Sequence, residues 1–128
     1  MKRRNKYNAV SCTCNQNHTH GSRAEATYCN NLHLDMRAQG SQIAEIQNQP
    51  TVILQEHPRR TWRLDFRVVM ADGTSYLIDV KGMWTPATKL KCDMYRQLLY
   101  DGKAAEPLLI APAHHGRGLV TFSEIWYR

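Results

Sequence analysis

No stretch of this chain approaches the roughly 20 consecutive apolar residues that a membrane-spanning helix needs, so an integral helical membrane protein is excluded. Neither an internal repeat nor a long low-complexity tract is visible, which argues against a solenoid or a disordered tail. The opening run Met1 to Lys6 is basic but leads into polar residues. Without an apolar h-region it does not read as a secretory signal, and the expectation is a cytoplasmic protein. Cysteines are too few for a disulfide scaffold: there are four, and in a reducing compartment metal binding is the first reading of a cluster. Acidic residues are also scarce, with 11 Asp and Glu against 17 Lys and Arg, a net charge of +6. That excess suits a polyanionic partner, because neutralising phosphates releases condensed counterions.

What remains is 128 residues, enough for one compact domain with a modest core. Residues 1–22 are polar and rich in Asn, Thr, Cys and His, and read as an arm preceding a folded body at 23–128. A first helix is predicted from Arg23 to Gln39. Ser22 and Glu25 match the S-x-x-E capping box and Gly40 provides a stop. Glu25, Cys29, Leu32 and Met36 share one face of it. Residues 41–50 read as a connection, and Val52 to Gln55 as a short strand. Trp62 to Met70 and Ser75 to Lys81 both alternate around Ala71-Asp72-Gly73, which predicts a β-hairpin. A second helix is expected over Lys89 to Tyr100, with Leu90, Met94 and Leu98 along one stripe. Leu108 to Ala111 suits a buried strand. The tail from Leu119 to Arg128 fits a strand or a helix equally. The order helix, three strands, helix, strand predicts an α/β fold, a mixed central sheet flanked by helices.

The hairpin carries the chemistry. Leu64, Phe66, Val68 and Met70 alternate with Arg63, Asp65, Arg67 and Val69; across the turn Tyr76, Ile78 and Val80 alternate with Ser75, Leu77, Asp79 and Lys81. One face is therefore expected to be apolar and the other to hold most of the charge. A two-residue Asp72-Gly73 turn would set Asp65 opposite Val80 and scramble the faces. A three-residue loop with Gly73 in the left-handed region pairs Asp65 with Asp79 and keeps the apolar face whole. Two opposed carboxylates repel unless a cation lies between them, and hard oxygen ligands suit Mg²⁺ or Mn²⁺. Lys81 follows Asp79 at period two, so its ammonium reaches the same place. There it could orient or deprotonate an attacking water and stabilise charge on a phosphate. An amphipathic hairpin with an incidental Asp–Lys pair is the plain alternative. Glu25 is similarly double: a cap that satisfies a backbone N–H, or a carboxylate aimed from the helix at the same cation.

The blocks His18-Thr-His-Gly-Ser-Arg-Ala-Glu-Ala-Thr-Tyr-Cys29, Gln49-Pro50, Leu64-Asp-Phe66, Ile78-Asp-Val-Lys-Gly82 and Lys89-Leu-Lys91 occur in that order. Over roughly residues 12–100 they resemble the small phage-encoded, Holliday-junction-resolvase-like endonucleases of the PD-(D/E)XK superfamily. The resemblance implies a restriction-endonuclease-like fold for residues 23–128 and a phage protein in the host cytoplasm. It implies that Asp65 and Asp79 hold Mg²⁺ or Mn²⁺ with the Val80 carbonyl, that Lys81 serves the attacking water, and that Glu25 is catalytic. Leu64 stands where the motif has proline, and Asp79 where Glu is commoner. The stretch after Leu108 matches nothing in that family's pattern.

Cys12-x-Cys14-x₃-His18-x-His20-x₈-Cys29 offers five soft ligands, and zinc takes four. A tetrahedral site would tie the polar arm to the first helix, and similar members of the family carry a comparable arrangement. The expected set is Cys12, Cys14, His20 and Cys29, with His18 as the alternative to His20. Against zinc stand the unusual Cys-x-Cys spacing and the chance that Cys29 is only a buried thiol. Cys92 reads as a packed thiol, and His33, His57, His114 and His115 as surface residues. Trp62, Trp84 and Trp126 read as core or rim.

Arg63, Arg67, Lys89 and Lys91, with Arg59 and Arg60 nearby, are the expected contacts to DNA phosphates. The functional expectation is a metal-dependent DNA endonuclease acting on branched, Holliday-junction-like DNA. Resolving a junction with two symmetric cuts would call for a homodimer. The alternatives are a nuclease of the same superfamily acting on another DNA structure, and a zinc-containing phage protein that binds DNA without cutting it.

Overall fold

A computed structural model describes residues 11–81, 84–115, 120–122 and 124–128, with side chains of 112–123 outside the description. The expectations for residues 1–10, and for the His114 and His115 side chains, lie outside the described residues.

Two short strands, β1 (Cys12–Thr13) and β2 (Thr19–His20), form a hairpin ahead of helix α1 (Arg23–Arg37). Strand β3 (Ile43–Asn48) follows, then a separate hairpin of β4 (Thr51–Gln55) and β5 (Arg60–Arg63). Strands β6 (Phe66–Met70) and β7 (Ser75–Lys81) form the central hairpin. Helix α2 (Pro86–Tyr100) leads to β8 (Leu108–His115), and β9 (Val120–Phe122) and β10 (Ile125–Tyr127) close the chain. The main sheet runs β10-β8-β7-β6-β3, with β9 also paired to β8. It is a mixed sheet: β7 and β8 are parallel, connected through α2, and the other pairs are antiparallel.

Helices cover both faces. Ala24, Ala26, Cys29 and Leu32 of α1 pack on Phe66, Val68, Ile78, Val80, Leu109 and Ala111. Cys92 and Tyr95 of α2 pack on Leu64, Leu77, Leu108 and Ile110, joined by Leu54 and Trp62 of the β4–β5 hairpin. This corrects the expected split into an apolar and a charged face. Strands next to a parallel pair are buried on both sides, so Leu77, Ile78, Asp79 and Val80 are all inaccessible in succession. Leu64, expected beside Phe66, turns to the α2 side. The reason is a change of partner: the Leu64 N–H donates to the Pro50 carbonyl at 2.8 Å, whereas Asp65 donates to Ile78 at 3.1 Å. The expected continuous strand from Trp62 to Met70 is thereby divided, one part joining β4 and the other joining β7.

The β6–β7 register is the one the three-residue loop requires: Phe66 faces Ile78 and Val69 faces Ser75. Gly73 has φ 90°, its N–H donates to the Met70 carbonyl at 3.0 Å, and Met70 N–H donates to Thr74 at 2.7 Å. A type I turn closed by a left-handed residue is what glycine permits at no steric cost.

Three further expectations change. Residues 41–50, read as a connection, contain β3; a bulge between Ile43 and Glu45 breaks the alternation that would have revealed it. Helix α2 starts at Pro86, with Thr85 as N-cap accepting from Thr88 N–H, and its buried side is Thr88, Cys92 and Tyr95. Leu90, expected on the buried stripe, is 58% exposed. The C-terminal segment, open between helix and strand, is stranded where described. No helix among the described residues is long and apolar enough to cross a membrane.

Candidate active site and metal centre

The first site forms where α1, β6 and β7 converge. Ser22 caps α1 by accepting the Glu25 N–H at 3.2 Å. Glu25 completes a shifted version of the box: its Oε2 accepts from the Gly21 N–H at 3.3 Å, one residue before the cap itself. Folding back does not remove Glu25 from the acidic cluster. Its carboxyl is raised first by burial and then by the charge of Asp79, while Gly21, Ser22 and Lys81 act in the opposite direction. Capping the Gly21 amide leaves Glu25 within the field of Asp79 and Lys81, because the helix N-terminus itself lies against the acids.

Asp65 lies immediately before β6, and its Oδ2 accepts from the Val80 N–H at 2.7 Å. Its carboxyl sits well above the ordinary range, through burial first, then the charges of Asp79 and Glu25, with a direct side-chain contact to Asp79. The two acids therefore meet across adjacent strands. Asp79 is 2% exposed. Lys81 Nζ lies 2.8 Å from its Oδ2. That contact is a charge-assisted pair held away from solvent. Burial pulls the Lys81 ammonium down, but Asp79, Asp65 and Glu25 outweigh it and hold the lysine charged. Val80 is buried in β7 with its N–H engaged by Asp65. Glu25 does not close a three-ligand group with the two aspartates at metal spacing among the described residues.

Three carboxylates facing one ammonium leave an excess of negative charge in a poorly hydrated place. Two of the acids respond by favouring protonation. A divalent cation would relieve all of these at once, and the donor set is the oxygen type Mg²⁺ or Mn²⁺ takes.

A second site lies in the N-terminal hairpin. Cys14, His18, His20 and Cys29 each offer one ligand atom, and all four atoms lie within 4.8 Å of one another. This corrects the expected set. His18 joins His20 instead of substituting for it, and Cys12, which faces His20 across the β1–β2 pair, is left out. The turn from Cys14 to His18 brings this about: Asn17 adopts φ 62°, Asn17 N–H donates to Cys14, and Cys14 N–H to His18 at 2.9 Å. Gln16 N–H points at Cys14 Sγ at 3.4 Å, and Cys29 Sγ lies 3.6 Å from His18 Nδ1. Asn48 Nδ2 also reaches that Nδ1, at 2.9 Å. His20 is buried, and its Nε2 has no hydrogen-bond partner. Burial and neighbouring His18 push its pKa down, which keeps the ring neutral, the ligating form. The Cys29 thiol is pushed up to about 12 by burial and by Cys14 beside it. Such a cluster of free thiols and imidazoles could hold a metal ion. The residues of the arm that are described are therefore packed into the body through Cys14.

Of the expected DNA contacts, Arg63 is exposed on β5, Lys89 is exposed on α2 and Lys91 is half-buried. Arg67 is already engaged. Its Nε and Nη2 grip Glu106 at 2.8 and 3.0 Å, and Nη1 reaches Gln47 at 3.2 Å. The bidentate pair links β6 to the loop before β8, and nothing in the local sequence signals it, because the partners lie 39 positions apart. Cys92 and Trp62 are buried as expected. His33, expected on the surface, has a buried Nε2 without a partner, close to His18.

The chain belongs to a protein family described as "Protein of unknown function (DUF1064)", whose family model matches residues 4–105. That span includes both sites. No curated protein and no solved structure matches the chain.

Proposed function

We propose that this DUF1064 member is a metal-dependent endodeoxyribonuclease with a restriction-endonuclease-like core, acting on branched DNA of the Holliday-junction type in a reducing compartment such as the cytoplasm of a phage-infected bacterium. One observation carries the reading: hydrogen bonds to Ile78 and Val80 set Asp65 beside Asp79, which is buried and ion-paired with Lys81, so two acids and a lysine crowd one poorly hydrated place. A binding module has no use for that arrangement, which costs stability unless a cation is bound. Asp65, Asp79 and the Val80 carbonyl are the residues that would hold Mg²⁺ or Mn²⁺. Bound there, the ion would supply Lewis-acid neutralisation of phosphate charge.

The protein's own residues do the remainder. Lys81, held charged by three acids, donates to the phosphate oxygens or to the attacking water. Glu25, fixed by the Gly21 amide, presents a carboxyl with raised proton affinity to the same place, suited to accept a proton from that water. Arg63, Lys89 and Lys91 offer charge for the DNA backbone, and the fit to a junction calls for a two-fold pair of chains. The Cys/His cluster fits zinc in a structural role, since two thiolates and two imidazoles form a closed tetrahedral set.

The test is a cleavage panel of duplex, flap, fork and four-way junction with Mg²⁺ or Mn²⁺. Cutting that requires the metal, prefers the junction and falls by a factor of about 10³ or more in Asp79→Ala is expected, the scale on which lost transition-state charge stabilisation acts. Binding to every substrate by both proteins with no cutting would instead identify a DNA-binding module.

A further inference from the structure

Between the two sites runs a short covalent path. His20 is a member of the Cys/His cluster; Gly21 donates its N–H to Glu25; Ser22 caps the helix; Cys29, two turns on, is a second member of the cluster. The segment that presents Glu25 thus begins and ends on members of the same four-residue cluster, His20 and Cys29. Ala24 and Ala26 seat its helical part on the sheet, but the residues ahead of it have little apolar anchorage. Strands β1 and β2 have two residues each, and in residues 11–22 only Cys14 and His20 are buried. Order in so polar a segment needs a cross-link.

We propose that an ion bound by Cys14, His18, His20 and Cys29 is a positioning device for Glu25: it anchors His20 to α1 and so fixes the Gly21 amide that holds the Glu25 carboxylate. The assignment of Glu25 to catalysis rests on the nuclease reading; the metal site and its hold on Gly21 do not. Two thiols and two imidazoles select zinc over the hard cation of the carboxylate site, so the two centres take different metals. Zinc bonds of about 2.0–2.3 Å imply ligand–ligand edges of roughly 3.3–3.8 Å; the Cys29 Sγ–His18 Nδ1 edge is already 3.6 Å, and no pair of the four ligand atoms is more than 4.8 Å apart. Buried His20, whose Nε2 has no hydrogen-bond partner, is the member of the cluster most in need of one. Glu25 is then tied to the cluster through one backbone amide, that of the residue after His20.

The experiment uses the full chain, zinc-loaded and then stripped by a chelator under reducing conditions. Elemental analysis should give one zinc per chain, and cobalt(II) in its place should show thiolate charge-transfer absorption. Both should vanish in Cys29→Ser and persist in Cys12→Ser and Cys92→Ser. Hydrogen exchange should rise on stripping, about tenfold or more, at Gly21 and the first turn of α1, as expected for local opening. Exchange in β6 and β7 should not change, which separates loss of position from unfolding. On junction DNA, stripping should lower kcat roughly 10–100-fold with KM unchanged, the usual cost of losing an outer-sphere partner. Stripped Glu25→Gln should lose no further activity. The proposal is overturned by a chain that binds no zinc, by zinc that leaves Gly21 exchange unaltered, or by Glu25→Gln falling on stripping as far as the wild type falls. A chain that binds zinc and shows the exchange change, yet cuts no DNA, retains the positioning device and loses only the nuclease reading.

Discussion

Replacing Asp65 with Asn removes one charge from the acidic cluster while keeping the shape. Loss of that charge is the main perturbation, because the amide oxygen of the variant still accepts from the Val80 N–H, which lies 2.7 Å from Oδ2 of Asp65. The amide nitrogen faces the Asp79 carboxylate as a donor where Asp65 presented a second acid. Two like charges about 4 Å apart repel by about 4 kcal/mol at an effective dielectric of 20. Lys81 offsets part of that, and partial protonation of Asp65 removes more. A net gain of about 2 kcal/mol is expected for the metal-free variant. For a domain of this size that is roughly 6–8 °C in Tm. Wild type behaves oppositely towards metal: at a hundredfold excess over Kd, Mg²⁺ should stabilise it by about 2.7 kcal/mol. Thermal unfolding of both proteins, with Mg²⁺ and with chelator, reads both effects. Asp65→Asn should be more stable than wild type without metal, indifferent to Mg²⁺, and inactive. A variant that melts below wild type in chelator, or that gains as much from Mg²⁺, would refute the argument that charge crowding awaits a cation here.

The same crowding sets a pH dependence. Asp65 and Glu25 have folded pKa values raised above their unfolded ones. Their contribution to the metal-free protein is fully present below the ordinary carboxylate range and is lost as pH climbs through the raised values, so Asp65→Asn should flatten the upper part of a Tm–pH curve. Glu106 runs the other way. Burial raises it, but Arg67 and Ser75 outweigh burial and lower it, so its stability is present above the unfolded pKa and lost on acidification. Arg67→Ala should therefore destabilise by about 1.5–3 kcal/mol, the range for charged hydrogen bonds, and leave DNA affinity unchanged in a binding isotherm. Arg63→Ala should do the reverse, leaving Tm within about 1 °C while lowering the salt slope of DNA binding by about one unit. Gly73→Ala, at φ 90° with open space around it, should cost about 1 kcal/mol by denaturant melting, from backbone strain alone.

Much of the candidate site was legible because it is built from short-range rules. Loop length and a glycine at its third position set the β6–β7 register, and period two then put Lys81 beside Asp79. Ser22 marked the start of α1 through its hydroxyl. The buried run Leu108 to Ala111 could be seen because a strand covered on both faces needs no polar residue. Strand β3 was hidden by its bulge, and the buried side of α2 was misjudged because Leu90 is apolar without being covered.

Local geometry, then, was determined by the chain alone: turn chemistry, helix capping and strand alternation each act over a few residues. Long-range choice was not. Which four of five soft ligands gather, that Arg67 is taken up by Glu106, and where the chain leaves β4 for β7 were decided by packing. Those outcomes depend on elements far apart in sequence competing for the same space, and no window of neighbouring residues contains that competition.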